Sequence, residues 1–346
     1  MSARIAAIGT AVPPHVVAQA QVRDFAAGFF AGDFDDLDRL LDSFGHTGIE
    51  RRHLARPMSW YGVPHDFPEK NAVYRETALD LASEAAARAL DGSGVARDEV
   101  GAILFVSTTG LSTPSLDSHL IQRLGLPRTT VRLPIWGLGC AGGAAGLARA
   151  ANLATALGMP VLLVAVEICS ATFVHGDRSK ANLIATALFG DGAAAVVLVP
   201  DGDGAEVIGA HSHLVEHSED VMGWNLAVEG LQVVFSRSIP QLVRSLAAGV
   251  ASAAARDVGL DARDLAHYIF HPGGAKVLAA YAETFRLGPE RLRYASGVLR
   301  DYGNMSSPSV LFVLSRFLAG EPADGRPVFL MALGPGFSAE SVVLRW

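Results

Sequence analysis

Charge and sulfur are both scarce in this chain. Only 18% of its 346 residues are charged, lysine occurs only at Lys70, Lys180 and Lys276, and the two cysteines are Cys140 and Cys169. Two cysteines make no disulfide framework, and the absence of paired CxxC motifs removes the usual zinc signature. A reducing, cytoplasmic setting fits that usage. The formal charge is -7, which excludes the basic face of a typical nucleic-acid binder. No apolar run reaches the ~18 residues of a membrane span. The opening stretch MSARIAAIGTAVPP is short and broken at Gly9 and Pro13, so it reads as a strand rather than a signal peptide.

Apolar residues are abundant instead. They make up 50% of the chain, and the mean hydropathy is +0.30. That balance excludes wholesale disorder. The length corresponds to roughly two domain-equivalents, enough for a large core without covalent staples.

Strand-like apolar runs alternate with helix-like stretches, which points to an α/β protein. The clearest strands are Ala102–Ser107, Val161–Val166, Ala193–Val199 and Val328–Ala332. Being almost continuously apolar, they read as strands covered on both faces. One helix starts near Pro240, and another covers Thr77–Leu90. Two internal echoes recur in the same order. ALFGDGAAAVVLV (Ala187–Val199) matches ALGPGFSAESVVL (Ala332–Leu344), and GCAGGAAGLARA (Gly139–Ala150) matches GNMSSPSVLFVL (Gly303–Leu314). They divide the chain into two similar halves, 1–204 and 205–346, at the turn PDGDG.

Three turns carry residues able to do chemistry. Cys140 lies in LGCAGGAAGLARA, a strand-to-helix turn whose glycines leave room for a substrate to approach the backbone. A helix start favours thiolate over thiol, so Cys140 fits a nucleophile, and it fits a buried structural cysteine equally. His271 ends the apolar strand Tyr268–Phe270 and precedes Pro272-Gly273-Gly274, at a strand's carboxyl end, where α/β proteins place chemistry. Asn304, in DYGNMSSPSVLFVL, is either a turn former or a neutral donor to a carbonyl oxygen. Together they supply a nucleophile able to hold an acyl group as a thioester, a base and an amide donor. Neither a GxSxG elbow nor a Walker A loop is present, and the Gly-x-Gly turns lack the context of a dinucleotide site.

Five motifs in order, GCAGG, ALFGDGAAA, FHPGG, YGNMSS and GPGFS, together resemble the type III polyketide synthases of the chalcone and stilbene synthase superfamily. TGIERRH, SKANLIATALFGDG, VMGWN and FSRSIP resemble the bacterial alkylpyrone and alkylresorcinol branch. The resemblance implies a homodimeric, thiolase-like five-layer αβαβα sandwich. It implies that Cys140 takes an acyl starter from coenzyme A, with a medium or long chain expected. His271 and Asn304 then bind the malonyl-CoA thioester carbonyl, decarboxylation leaves an enolate, and cyclisation gives an alkylpyrone or alkylresorcinol. It also implies that His271 helps Cys140 ionise.

Phe189 matches the family's gatekeeper, Val233 the second gatekeeper, and Trp224 a position that is glycine in the plant enzymes. Thr108, Thr109, Thr113, Cys169, Thr172 and Ser306 match cavity positions, and Gly334, Pro335 and Gly336 match the loop shaping the cavity. The plant enzymes place a methionine, contributed across the dimer, where Thr113 stands. A coenzyme A tunnel needs cations for its phosphates, and Arg51, Arg52 and Arg56 in ERRHLARP are the candidates; a solvated charge run is the alternative. No metal or tightly held cofactor is implied, since coenzyme A enters with the substrates. The other readings are a ketoacyl synthase III-like enzyme using carrier-protein-bound substrates, a Cys-His-Asn hydrolase and a non-catalytic binding protein.

Overall fold

The computed structural model describes residues 2–346. The chain begins with β1 (Arg4–Ala11), β2 (His15–Ala18), α1 (Gln19–Phe29), α2 (Leu37–Asp42), β3 (Arg51–Leu54), α3 (Met58–Tyr61) and α4 (Phe67–Ser93). It continues through β4 (Ala102–Val106), α5 (Asp117–Leu124), β5 (Val131–Ile135), α6 (Gly142–Leu157), β6 (Val161–Ile168), α7 (Lys180–Leu188) and β7 (Asp191–Val199). The second half comprises β8 (Ala205–Leu214), β9 (Met222–Ala227), β10 (Gly230–Phe235), α8 (Ile239–Asp257), β11 (His267–Phe270), α9 (Ala275–Phe285), α10 (Arg293–Tyr302), α11 (Ser307–Gly320), β12 (Pro327–Gly334) and β13 (Ser338–Arg345).

Nine strands run in the order β11-β12-β13-β8-β1-β7-β6-β4-β5. The β1–β8 junction consists of two residue pairs, Arg4 with Glu206 and Ile5 with Ala205. The sheet is therefore two sets joined at a narrow seam, one from each half of the chain. Every residue of β4 and β6 is buried, as their unbroken apolar runs require. Side chains alternate across the strands. Ile103, Phe105, Leu162 and Val164 face α4, while Leu104, Val106, Leu163 and Ala165 face the interior helices. Each such side chain contributes roughly 1.5–3 kcal/mol on burial.

α6 and α11 pack against each other between the two sets, and α8 covers the far face of the second set with α9 against it. The result is five layers, helix–sheet–helix–sheet–helix. The paired echoes occupy matching places. β7 and β13 are interior strands of their sets, and α6 and α11 are the two central helices.

Local signals set the helix ends. Asp66 and Glu69 form a reciprocal capping box at the start of α4, and Gly94, in the left-handed conformation, ends it. Pro240 occupies the first turn of α8. A third apolar cluster joins α1, α2, β3 and α7 through Val22, Phe30, Phe44, Leu54 and Leu183. The β9–β10 hairpin stands apart as its own two-stranded sheet.

Candidate active site

Cys140 is the middle residue of a 3-10 turn, Gly139–Ala141, that opens α6. It is 6% exposed. The neighbouring glycines do something other than expected from the sequence. A Cβ on Gly143 would lie 2.2 Å from the Ser307 carbonyl oxygen, one on Gly142 2.6 Å from Val106, and one on Gly139 2.7 Å from Pro335. They are small so that α6 can close on α11 and on the end of β12, not to admit substrate.

That close approach brings Asn304 to the cysteine. Asn304 Oδ1 lies 3.9 Å from Cys140 Sγ and accepts the Ser306 N–H at 2.8 Å. Its Nδ2 donates to the Gly273 carbonyl at 3.3 Å. One amide thus links the cysteine turn to the loop after His271. Ser306 holds its N–H there at φ 59, ψ -130, an unusual conformation for a residue with a side chain. Such backbone strain costs about 1–3 kcal/mol and concentrates at functional sites.

His271 extends the β11–β12 pairing, donating its backbone N–H to the Met331 carbonyl at 3.0 Å. Both its ring nitrogens are buried and lack a hydrogen-bond partner among the described residues. Burial holds the imidazole down to about 3, so it is neutral near pH 7 and carries one N–H and one lone pair. Burial also pushes the Cys140 thiol up to about 11, opposed by its hydrogen bonds with Ser306 and Asn304. The thiolate expected from the helix start is therefore not what the buried site favours; desolvation outweighs the dipole.

A buried carboxylate that the sequence reading passed over organises the opposite wall. Glu167 Oε2 accepts from the Thr108 N–H (2.9 Å), the Thr109 N–H (3.0 Å) and Thr109 Oγ1 (2.8 Å), while Oε1 accepts from Ser307 Oγ (2.8 Å). Thr108 Oγ1 in turn accepts the Gly139 N–H at 3.2 Å. Burial raises the Glu167 carboxyl to about 7, opposed by these donors. The available signal was a lone acid in the otherwise apolar strand VLLVAVEI.

Phe189 caps α7 and pairs through its backbone with Asn304. Its ring centroid is 6.3 Å from that of Trp224, and Trp224 pairs with Val233 across the β9–β10 hairpin. Beside Phe189, a narrow apolar pouch with a cavity volume of about 60 Å3 is lined by Val22, Phe25, Leu54, Met58, Phe173 and Val174, among others. Cys169, Thr172, Phe189, Val233 and Arg52 line it too. Gly334 and Pro335 pack directly on the cysteine turn, and Gly336 turns with φ 97. Thr113 does not join them. It is exposed and lines a separate surface cleft with Leu111 and Trp136.

The three arginines separate. Arg51 is an exposed partner of Asp301 at 3.4 Å, and Arg56 pairs with Glu76 at 2.5 Å. Arg52 is 1% exposed; both its Nη atoms are spent on carbonyl oxygens and on Gln19, and its Nε is buried without a partner among the described residues. It is unavailable to a phosphate, which corrects the expectation from the charge run. Among the described residues no cluster of metal ligands occurs, and no helix is long and apolar enough to cross a membrane.

The family model for the chalcone and stilbene synthase N-terminal domain matches residues 61–202, and that for the C-terminal domain matches residues 206–346. The chain belongs to the chalcone and stilbene synthase family. It is a type III polyketide synthase, an acyl-transferring condensing enzyme on the thiolase-like fold. A putative chalcone synthase of Bacillus subtilis (strain 168) is 40% identical, over 99% of this chain and 98% of its own. A 1,3,6,8-tetrahydroxynaphthalene synthase of Streptomyces peucetius subsp. caesius is 38% identical, over 99% and 93%. The crystal structure of the Streptomyces coelicolor A3(2) 1,3,6,8-tetrahydroxynaphthalene synthase superposes with a TM-score of 0.95 at 30% identity, covering 99% of each chain.

Proposed function

We propose that this type III polyketide synthase loads a medium- or long-chain acyl group from coenzyme A onto Cys140, extends it with malonyl-CoA, and closes the product to an alkylpyrone or alkylresorcinol. The observation that carries the chain-length reading is the apolar pouch beside Phe189 and Cys169. Each methylene buried against that apolar lining is worth about 0.8 kcal/mol, which favours an alkyl over a polar starter.

His271 takes the Cys140 proton, and the thiolate attacks the starter thioester, releasing coenzyme A as its thiol. Malonyl-CoA then loses carbon dioxide. The electron pair of the breaking bond moves into the thioester carbonyl, and the enolate oxygen accepts hydrogen bonds from the imidazole N–H and from Asn304 Nδ2. The enolate carbon attacks the acyl-cysteine, forming a carbon–carbon bond and expelling the thiolate. No strong base is needed, because decarboxylation itself produces the carbanion. Arg51 and Arg56 are the cations proposed for the coenzyme A phosphates. The Arg56–Glu76 pair is exposed, worth about 0–1 kcal/mol, and exchanges readily for a phosphate oxygen; Asp301 is buried but also held by Arg300 and Arg316, so it stays paired if Arg51 turns to a phosphate.

Relatives named as 1,3,6,8-tetrahydroxynaphthalene synthase and phloroglucinol synthase set the competing outcome, a small aromatic ring. Purified protein incubated with labelled malonyl-CoA and starters from acetyl- to palmitoyl-CoA, read by mass spectrometry, decides. Pyrones or resorcinols that rise with chain length are expected. Aromatic products from malonyl-CoA alone, or activity confined to small starters, overturn the reading. Extension only when malonate rides on a carrier protein would place the enzyme with carrier-dependent condensation.

A further inference from the structure

Arg52 is among the largest fully buried side chains of the described residues. Its Nη1 donates to the carbonyl oxygens of Thr186 (2.8 Å) and Phe189 (2.9 Å). Its Nη2 donates to the carbonyl of Ala187 (2.8 Å) and to Gln19 Oε1. Gln19 is itself fixed, donating through Nε2 to Thr47 Oγ1 (3.0 Å) and to the Ala187 carbonyl (3.1 Å). The last carbonyls of a helix have no partner within it. In α7, those of Thr186 and Ala187 end on Arg52, and that of Leu188 accepts the Asn304 N–H at 2.9 Å. Two residues further, the Gly190 N–H returns to the Asn304 carbonyl at 3.0 Å. Segment 186–190 is thus held on one side by a buried guanidinium and on the other by the main chain of Asn304.

We propose that Arg52 is a positioning residue that sets Phe189 and Asn304 as one unit, so that the gate and the enolate donor keep a common register against Cys140. The proposal rests on the reading of Phe189 and Asn304 given above. A planar fork of N–H groups suits three converging carbonyls, and an ammonium on a flexible stem does not reproduce it. The cation also sits at the carboxyl end of α7, where the helix dipole favours it. Asp191, buried nearby, supplies the opposite charge that helps keep Arg52 ionised. Arg52 borders the pouch, but its guanidinium is committed to main-chain carbonyls and Gln19, and it has no part in bond making or breaking; it acts through the backbone it holds.

The test compares two half-reactions in Arg52→Lys, Arg52→Met and Gln19→Ala. One is acylation of Cys140 by a starter acyl-CoA, read by protein mass. The other is carbon dioxide release from malonyl-CoA. The ratio of decarboxylation to acylatable Cys140 falls about tenfold or more in Arg52→Met, less in Arg52→Lys and least in Gln19→Ala, because small displacements of a donor are costly. A merely structural role lowers both half-reactions together and leaves the ratio at the wild-type value, which overturns the proposal. If Arg52→Met does not fold, an unchanged ratio in Arg52→Lys and Gln19→Ala overturns it equally. Asn304→Ala, run alongside, separates the failures. Should that variant keep full decarboxylation, the site reading itself fails, whatever Arg52 does.

Discussion

His271 and Cys140 are each disfavoured as a lone charge by burial, yet the reaction needs a thiolate. A proton passed from one to the other creates opposite charges that compensate one another, a far smaller penalty than either alone. Removal of the imidazole should therefore expose the burial penalty on the thiol. In His271→Gln, alkylation of Cys140 by iodoacetamide should titrate at higher pH than in the wild type; superimposable pH profiles would show that His271 is not the partner. The same burial has a stability signature. Below pH 6.5 the unfolded chain gains a proton on His271 that the folded site refuses until about pH 3. Stability contributed at this residue therefore falls as pH drops through that window, by about 2 kcal/mol at pH 5. Whatever His271→Gln costs at pH 8, the cost measured by denaturant unfolding at pH 5 should be smaller by that amount.

The site is an encounter of helix starts, and its precision depends on how closely α6 and α11 approach. In most helices Gly→Ala stabilises by about 0.5–1 kcal/mol. Gly249 in α8, with open space around its Cβ position, should follow that rule. Gly143→Ala should reverse the sign, because the added methyl meets a backbone oxygen that cannot step aside. A loss of about 1–3 kcal/mol is expected, together with reduced condensation as Cys140 and Asn304 move apart. Equal stabilisation by both substitutions, measured by thermal unfolding, would refute the close-approach reading.

The elements themselves were largely legible from sequence. AILFVS, VLLVAV, AAAVVLV and VFLMA all lie in strands, β4, β6, β7 and β12, and the helix from Pro240 is α8. What stayed hidden depended on distant partners. Glu167 looks like the end of an apolar strand until the fold brings Thr108, Thr109 and Ser307 to its oxygens. Arg52 looks like its neighbours in ERRHLARP, because alternation along β3 turns it inward while Arg51 stays outside. The glycines after Cys140 announce a tight place without saying whether substrate or protein fills it.

At the scale of the whole molecule, one edge of the sheet is unfinished. β5 is the terminal strand, with Val131 and Leu133 exposed along it, and Leu111 and Trp136 are exposed in the neighbouring cleft lined by Arg132 and Pro134. An exposed apolar edge strand invites pairing and is normally blunted by charge or cover. This one carries a single charged residue, Arg132, already bidentate to the buried Asp117. A second copy of the chain, paired through β5, would cover it. The same contact would bring Thr113, exposed in this cleft, against the partner. Leu133→Arg with Trp136→Glu should convert the protein to monomer in sedimentation velocity and lower condensation, while Leu226→Arg, on the exposed β9–β10 hairpin, should leave the dimer intact. A wild-type monomer at micromolar concentration would remove the dimer altogether, and a double variant that still sediments as dimer would move the interface elsewhere; either result leaves the β5 edge to be covered by something other than a second copy of the chain.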